Sequence, residues 1–184
     1  MTARTSADFG ITDAHSHIGP YPAGVLSVDR LLEQMDRNNV AFAVVSPGRL
    51  ADGQSVREAN EKLATAIGAH PDRLSGFGLV DSAELEAARS QLQQIAESGL
   101  AGVKLRPDLG ALSSQTEKLS VILDIALQRH LPLYIHSGLP FRSIASEVIG
   151  LTRDYPALPI VLSHRKSPVF RKDVVLGATE CANL

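Results

Sequence analysis

The sequence predicts an α/β fold of the (β/α)8 barrel class, incomplete here at about six strand–helix units. Three observations carry that expectation. Short apolar runs, largely β-branched, recur at intervals of roughly 30 residues, the length of one β–α–β unit. Segments with apolar residues at i, i+3, i+4 and i+7 fill the intervals between them. Polar and ionisable residues gather at the carboxyl ends of the runs, where barrels of this class carry their active sites.

In chain order the runs are "ITDAH" from Ile11, "VAFAVVS" from Val40, "LSGFGLV" from Leu74, "AGVKL" from Ala101, "PLYIH" from Pro132 and "PIVLSH" from Pro159. Their continuous apolar character suits strands buried on both faces of a parallel sheet. Val28, Leu31, Leu32 and Met35 share one face of the first predicted helix. Leu85, Ala88, Leu92 and Ile95 do the same after "DSAE", where Asp81 is placed to cap and Glu84 to sit at N3. Leu119, Ile122, Leu123 and Ala126 mark another helix, as do Ile144, Val148 and Leu151. A last helix is expected from about Phe170 to Glu180. No linker or composition break divides residues 1–184, so a single domain is expected. An open doubly wound sheet is the competing architecture, but the first turn, "AHSHIGPYPAG", has no GxGxxG or P-loop pattern. A full barrel needs eight units and typically ~250 residues. With 184 residues, the chain reaches "ECANL" where a seventh strand is due, so the two C-terminal units are expected to be missing.

Composition narrows the function classes. The formal net charge is −2 with 21% charged residues, so no polyanionic partner is implied. Basic residues are dispersed and only 4% of residues are aromatic, which speaks against nucleic-acid binding. The single cysteine, Cys181, rules out a disulfide framework and suits a reducing compartment. "MTARTSADFG" lacks the apolar core of a signal peptide, and no run of about 18 apolar residues is present. A cytoplasmic protein acting on a small molecule, away from membranes, is the expectation.

Two of the six histidines, His15 and His17, stand one residue apart at the end of the first run. Side chains on a strand alternate, so both point to the same face. Inward-facing imidazoles can share one cation, with metal–nitrogen bonds of ~2.0–2.1 Å for zinc. Two more histidines, His136 and His164, end the fifth and sixth runs. The set reads as a metal site at a barrel mouth, against the plainer reading of polar strand ends. His70 and His130 instead close helices before the next strand, where a helix C-terminus favours a cation, and are expected to be structural.

These motifs resemble the amidohydrolase superfamily of metal-dependent barrel hydrolases. They look most like its amidohydrolase-related branch, which also holds the aminocarboxymuconate-semialdehyde decarboxylase-like enzymes. "ITDAHSHIG" is similar to that branch's first strand, "ANEKLATAIGAHPDRLSGFGLVD" to its second helix and third strand, "GLAGVKLRP" to its fourth strand, "PLYIHSG" to its fifth and "PIVLSH" to its sixth. The resemblance implies that His15, His17 and His136 ligate a divalent metal, most often zinc. Imidazole also suits Mn²⁺ and Fe²⁺. It implies that the catalytic His164 faces the attacking water or the substrate, or binds a second metal. Lys104 stands on the strand where two-metal relatives carry a carboxylated lysine; pairing with a carboxylate or with substrate is the alternative role. Asp13 is either a partner of a ligating imidazole or a structural carboxylate.

Two departures from the branch stand out. "HRKSP" puts Arg165 and Lys166 where a glycine-bearing turn is usual. The eighth strand, whose aspartate binds the metal and takes a proton from the attacking water, is not accounted for by any residue of this chain.

A metal held this way lowers the pKa of water towards ~7 and polarises a carbonyl. Hydrolysis of an ester, lactone or amide fits, and decarboxylation is the close variant. Arg49, Arg106 and Arg142 stand near carboxyl ends of strands, where a guanidinium can grip a substrate carboxylate, although each reads first as a solvated or structural arginine. A non-catalytic remnant is the reading from another class. Six strands leave open barrel edges, through which the chain is expected to self-associate.

Overall fold

The structure, a computed structural model, describes residues 10–21, 24–106, 116–136, 145–163 and 171–184. The chain divides into two compact units, Met1–Phe77 and Gly78–Leu184. The six predicted runs are all strands, and a seventh, short strand is added to them.

The first unit contains β1 (Ile11–Tyr21), β2 (Gly24–Leu26), α1 (Val28–Arg37), β3 (Val40–Pro47), α2 (Val56–Ala69) and the start of β4 (Leu74–Val80). β3 lies parallel to β1 on one side and to β4 on the other, with Ala43 opposite Leu74. Ala43 and Val45 are fully buried, and Leu31, Met35, Leu63 and Leu74 close the core around them. The predicted stripe on α1 thus delivers Leu31 and Met35 inward. Ser27 starts α1 by accepting the Arg30 backbone N–H at 3.2 Å. Ser55 and Glu58 start α2 with a reciprocal capping box, at 3.2 and 2.8 Å.

Two expectations are corrected in this unit. The sheet is not wholly parallel, because β2 folds back antiparallel on the end of β1, pairing Gly19 with Leu26 and Tyr21 with Gly24. A tight reversal demands backbone that few residues adopt, and Gly19 (φ +107°) and Gly24 (φ +129°) supply it. β1 is also longer than the apolar run, so His15 and His17 lie within the strand rather than at its end.

The second unit continues β4 and adds α3 (Leu85–Glu97), β5 (Gly102–Leu105), α4 (Thr116–Gln128), β6 (Leu133–Ile135), α5 (Ala145–Asp154), β7 (Ile160–Leu162) and α6 (Arg171–Glu180). β5, β6 and β7 are parallel and in consecutive order. Val103, Leu105, Leu133 and Ile135 are buried within them. Leu92, Ile95, Ile122 and Leu123 bury the helix stripes predicted for α3 and α4. Gly78 allows the close approach of α3, since a Cβ there would come within 2.4 Å of Ile95 Cγ1. The expected cap on α3 is not formed. Asp81 Oδ1 accepts the Ala83 N–H at 2.9 Å, and the helix starts later, after Glu84, with no side-chain cap. A short polar side chain bonding its own loop competes with helix capping, and here the loop wins. His70 caps the end of α2, and His130 follows α4 in a left-handed conformation (φ +55°). Among the described residues, no helix is long and apolar enough to cross a membrane.

Candidate metal centre

β1 is anchored to β3 by parallel pairing, but the ladder slips between Asp13 and Ser16. Asp13 pairs with Ala43 and Ser16 with Val45, so Ala14 and His15 together oppose one residue of β3. Such a bulge bends a strand and re-aims its side chains. Asp13 Oδ1 accepts the His15 backbone N–H at 3.0 Å and so holds the bulge in place. Of the two roles foreseen for Asp13, this bond serves His15 through its backbone and not through its ring.

The two imidazoles meet on one side of β1, with ring centroids 4.8 Å apart and planes at 70°. His17 stands opposite Ser46 of β3. Its Nδ1 lies 2.9 Å from Ser46 Oγ and 3.3 Å from Ser46 carbonyl oxygen. A carbonyl only accepts, so a proton on Nδ1 satisfies both oxygens and leaves the ring's lone pair on Nε2. Fixing the far nitrogen in this way is how ligating histidines are commonly oriented. Two imidazoles on one ion, each with a bond of ~2.0–2.1 Å, hold their centroids about 4.5–5.2 Å apart for bond angles from octahedral to tetrahedral. The observed 4.8 Å falls within that range, as it does within that of an ordinary edge-to-face contact of two rings. His15 Nε2 is shielded from solvent.

The pair opens onto a cavity of about 460 Å³. Val25 and Leu26 of β2 and Arg30 and Gln34 of α1 line it together with His15 and His17. None of these four lining residues was foreseen. The turn residues of "GPYPAG", followed by the apolar "VL", were the available signal for the hairpin.

In the second unit, Lys104 pairs with Tyr134 across β5 and β6. The strand alternation puts Tyr134 and His136 on one face. The His136 backbone N–H bonds Leu105 carbonyl oxygen at 3.0 Å, extending the ladder, and its Nε2 is shielded from solvent. Lys104 is fully buried, with Nζ 3.9 Å from the centroid of the Tyr134 ring. Nζ has no hydrogen-bond partner among the described residues. Burial, assisted by the neighbouring Arg106 charge, lowers its pKa from the ordinary 10.5 to about 7. No carboxylate pairs with it among the described residues, in contrast to one of the roles foreseen.

His15, His17 and Ser46 are thus brought together on β1 and β3, while His136 follows β6 in the other unit. Among the described residues no group of three or more His, Cys, Asp or Glu side chains is assembled. Arg49 follows β3 and is exposed, its backbone N–H bonding Pro20 carbonyl oxygen at 3.1 Å. Arg106 follows β5 and is half-buried. His164, Arg142, Arg165 and Lys166 lie outside the described residues.

Strands that alternate with helices, carrying polar residues on their carboxyl halves, define the class as an incomplete (β/α)8 barrel. Solved structures bear out the fold. An uncharacterised TIM-barrel protein from Bordetella bronchiseptica matches at TM-score 0.68 and 20% identity, over 86% of this chain and 58% of its own. A manganese-bound 5-carboxyvanillate decarboxylase from Novosphingobium aromaticivorans matches at 0.68 and 16%, over 85% and 66%. A 2,6-dihydroxybenzoate decarboxylase from Rhizobium matches at 0.61 and 17%, over 83% and 65%. This chain therefore spans between 58% and 66% of the length of these proteins. No curated protein matches it in sequence. The chain belongs to the amidohydrolase family, whose pattern matches residues 12–170.

Proposed function

We propose that this chain carries the metal-binding part of a metal-dependent enzyme that acts on the carbonyl or carboxylate carbon of a small molecule. The observation that carries the reading is the His15–His17 pair, held 4.8 Å apart with His17 fixed by Ser46. His15, His17 and His136 are the proposed ligands, and a divalent ion is the proposed cofactor, with Zn²⁺ first and Mn²⁺ or Fe²⁺ as alternatives. Bound there, the ion supplies Lewis acidity and lowers the pKa of water towards ~7. Ser46 oxygens on the Nδ1 side of His17 orient the ring and leave its Nε2 directed away from β3. Asp13 fixes the turn of backbone from which His15 projects. His164 is the proposed acid–base group, steadying charge on the reacting oxygen or moving its proton.

Hydrolysis of an ester, lactone or amide is the first reading, in line with the family. Decarboxylation is the second, favoured by the similarity to decarboxylases of aromatic acids. A cytoplasmic location accords with the single cysteine.

Metal content after loading and desalting tests the proposal. About one equivalent is expected in the wild type, with His15→Ala and His17→Ala reduced to background and His136→Ala weakened. Wild-type protein without metal, or a His15→Ala protein with wild-type content, would overturn the reading. Release of 4-nitrophenol from 4-nitrophenyl acetate and of CO₂ from 2,6-dihydroxybenzoate separates the two chemistries.

A further inference from the structure

The cavity beside the histidine pair contains a charge that the proposed chemistry has not used. Arg30 sits in the first turn of α1 and lines the cavity, with Gln34 one turn further along the same helix face. The helix is not a loose support. Ser27 caps it, and Leu31 and Met35 bury its inner face at 5% and 3% exposure. The other basic residue of α1 is engaged, Arg37 with Glu33 at 3.5 Å. Asp36 is engaged as well, with Arg73 at 2.7 Å. Arg30 forms no ion pair among the described residues. Across the cavity, β2 offers an apolar wall. Val25 of that wall is 64% exposed, a high value for a large aliphatic side chain on a strand. A cavity of 460 Å³ lies in the range of small-molecule sites.

We propose that Arg30 is the substrate-binding residue that selects a carboxylate on an apolar skeleton, with the skeleton against Val25 and Leu26. The assignment rests on the reading of the histidine pair as the reacting end of the same cavity. A guanidinium presents paired N–H donors in the geometry of a carboxylate. One cation matches one negative charge, whereas a phosphate dianion is better served by several donors. Gln34 stands beside Arg30 to bond a hydroxyl or the second carboxylate oxygen. An apolar body covering Val25 removes exposed aliphatic surface from water. Arg49, Arg106 and Arg142 were candidates for this role beside a solvated or structural reading; among the described residues lining the cavity the one guanidinium is that of Arg30.

The test is an NMR titration of the full chain with benzoate, with its neutral counterpart benzamide and with phenyl phosphate. It is run both with Zn²⁺ and after chelation. Wild-type protein is expected to prefer benzoate to benzamide at least tenfold, and to bind phenyl phosphate no more tightly than benzoate. Arg30→Gln should abolish the preference, with benzoate weakened far more than benzamide. Arg30→Lys should retain a part of it. Gln34→Glu, which places a carboxylate one turn from Arg30, should also abolish it. Arg30 is exposed, and circular dichroism of each variant checks that the fold is kept. Equal binding of benzoate and benzamide by the wild type, a preference that survives Arg30→Gln, or tighter Arg30-dependent binding of phenyl phosphate overturns the proposal. Its failure is distinct from failure of the metal reading. Loss of the Arg30 effect with metal content intact removes only the carboxylate assignment. Absence of metal uptake with the Arg30 preference intact removes only the metal.

Discussion

At the scale of single residues, Lys104 is costly to bury. It is 1% exposed and meets the Tyr134 ring in place of a hydrogen-bonding partner among the described residues. The ring face returns about 1–2 kcal/mol to the ammonium, less than a buried charge loses. With its native pKa near 7 and an unfolded value close to 10.5, the folded protein binds fewer protons than the unfolded chain between those limits. Stability therefore rises with pH across that window. Below about pH 7 both states are protonated and the whole penalty is present. Lys104→Met, which keeps the stem and removes the charge, is expected to stabilise by roughly 1–3 kcal/mol at pH 6.5. The gain should fade as pH approaches 10. Urea midpoints at pH 6.5, 8 and 9.5 measure it, and a gain independent of pH would contradict the account. The sequence placed Lys104 on a strand end among polar residues. It did not disclose the aromatic cap, which depends on the register pairing Lys104 with Tyr134 between strands about 30 residues apart.

At the scale of elements, β1 shows what a periodic pattern conveys and what it omits. Alternation along "DAHSH" put His15 and His17 on one face, and the rings do meet. The bulge that aims them and the antiparallel return of β2 leave no trace in hydrophobic period, because both arise from local backbone geometry. The start of α3 departs from its sequence pattern for a related reason, since Asp81 has a nearer donor in Ala83. β3 contributes through Ser46, whose side chain and carbonyl face His17 Nδ1. Ser46→Ala keeps the carbonyl and removes the hydroxyl, so the ring is less firmly held. Metal affinity should fall by roughly 10-fold or more with stability nearly unchanged. Competition against a fluorescent chelator reads the first quantity and thermal unfolding the second; an unaltered affinity would deny Ser46 its orienting role. In the second unit, the element that closes the end of α5 is a side chain. Asn183 Nδ2 donates to the carbonyls of Thr152, Tyr155 and Leu158 at 3.2, 3.0 and 2.9 Å. Its own carbonyl accepts the Ile160 N–H at 2.7 Å, tying the segment to β7. Asn183→Ala leaves those three carbonyls short of a donor in a half-buried setting, at a cost of about 1–3 kcal/mol. A denaturant midpoint unchanged by the substitution would show that water replaces the amide.

At the scale of the whole molecule, the distribution of proposed ligands over two compact units gives metal binding a thermodynamic signature. His15 and His17 belong to the unit ending at Phe77, and His136 to the unit beginning at Gly78. A ligand that binds only the folded state stabilises it by RT ln(1 + [L]/Kd), about 2.7 kcal/mol at a hundredfold excess over Kd. In a protein of 150–250 residues each kcal/mol moves Tm by roughly 2–4 °C, so a shift of about 5–11 °C is expected. Where that shift falls distinguishes the ligand sets. An ion held by His15 and His17 alone stabilises the first unit, and hydrogen exchange slows there while the amides of β5, β6 and β7 are unaffected. An ion that also takes His136 protects both units together, and His136→Ala confines the protection to the first. Calorimetry with and without Zn²⁺, paired with hydrogen exchange read separately over β1–β3 and β5–β7, makes the distinction. Protection of both units that vanishes in His15→Ala is the expected result. Protection of β5–β7 that persists in His15→Ala and His17→Ala would place the cation elsewhere and remove the histidine pair from the ligand set.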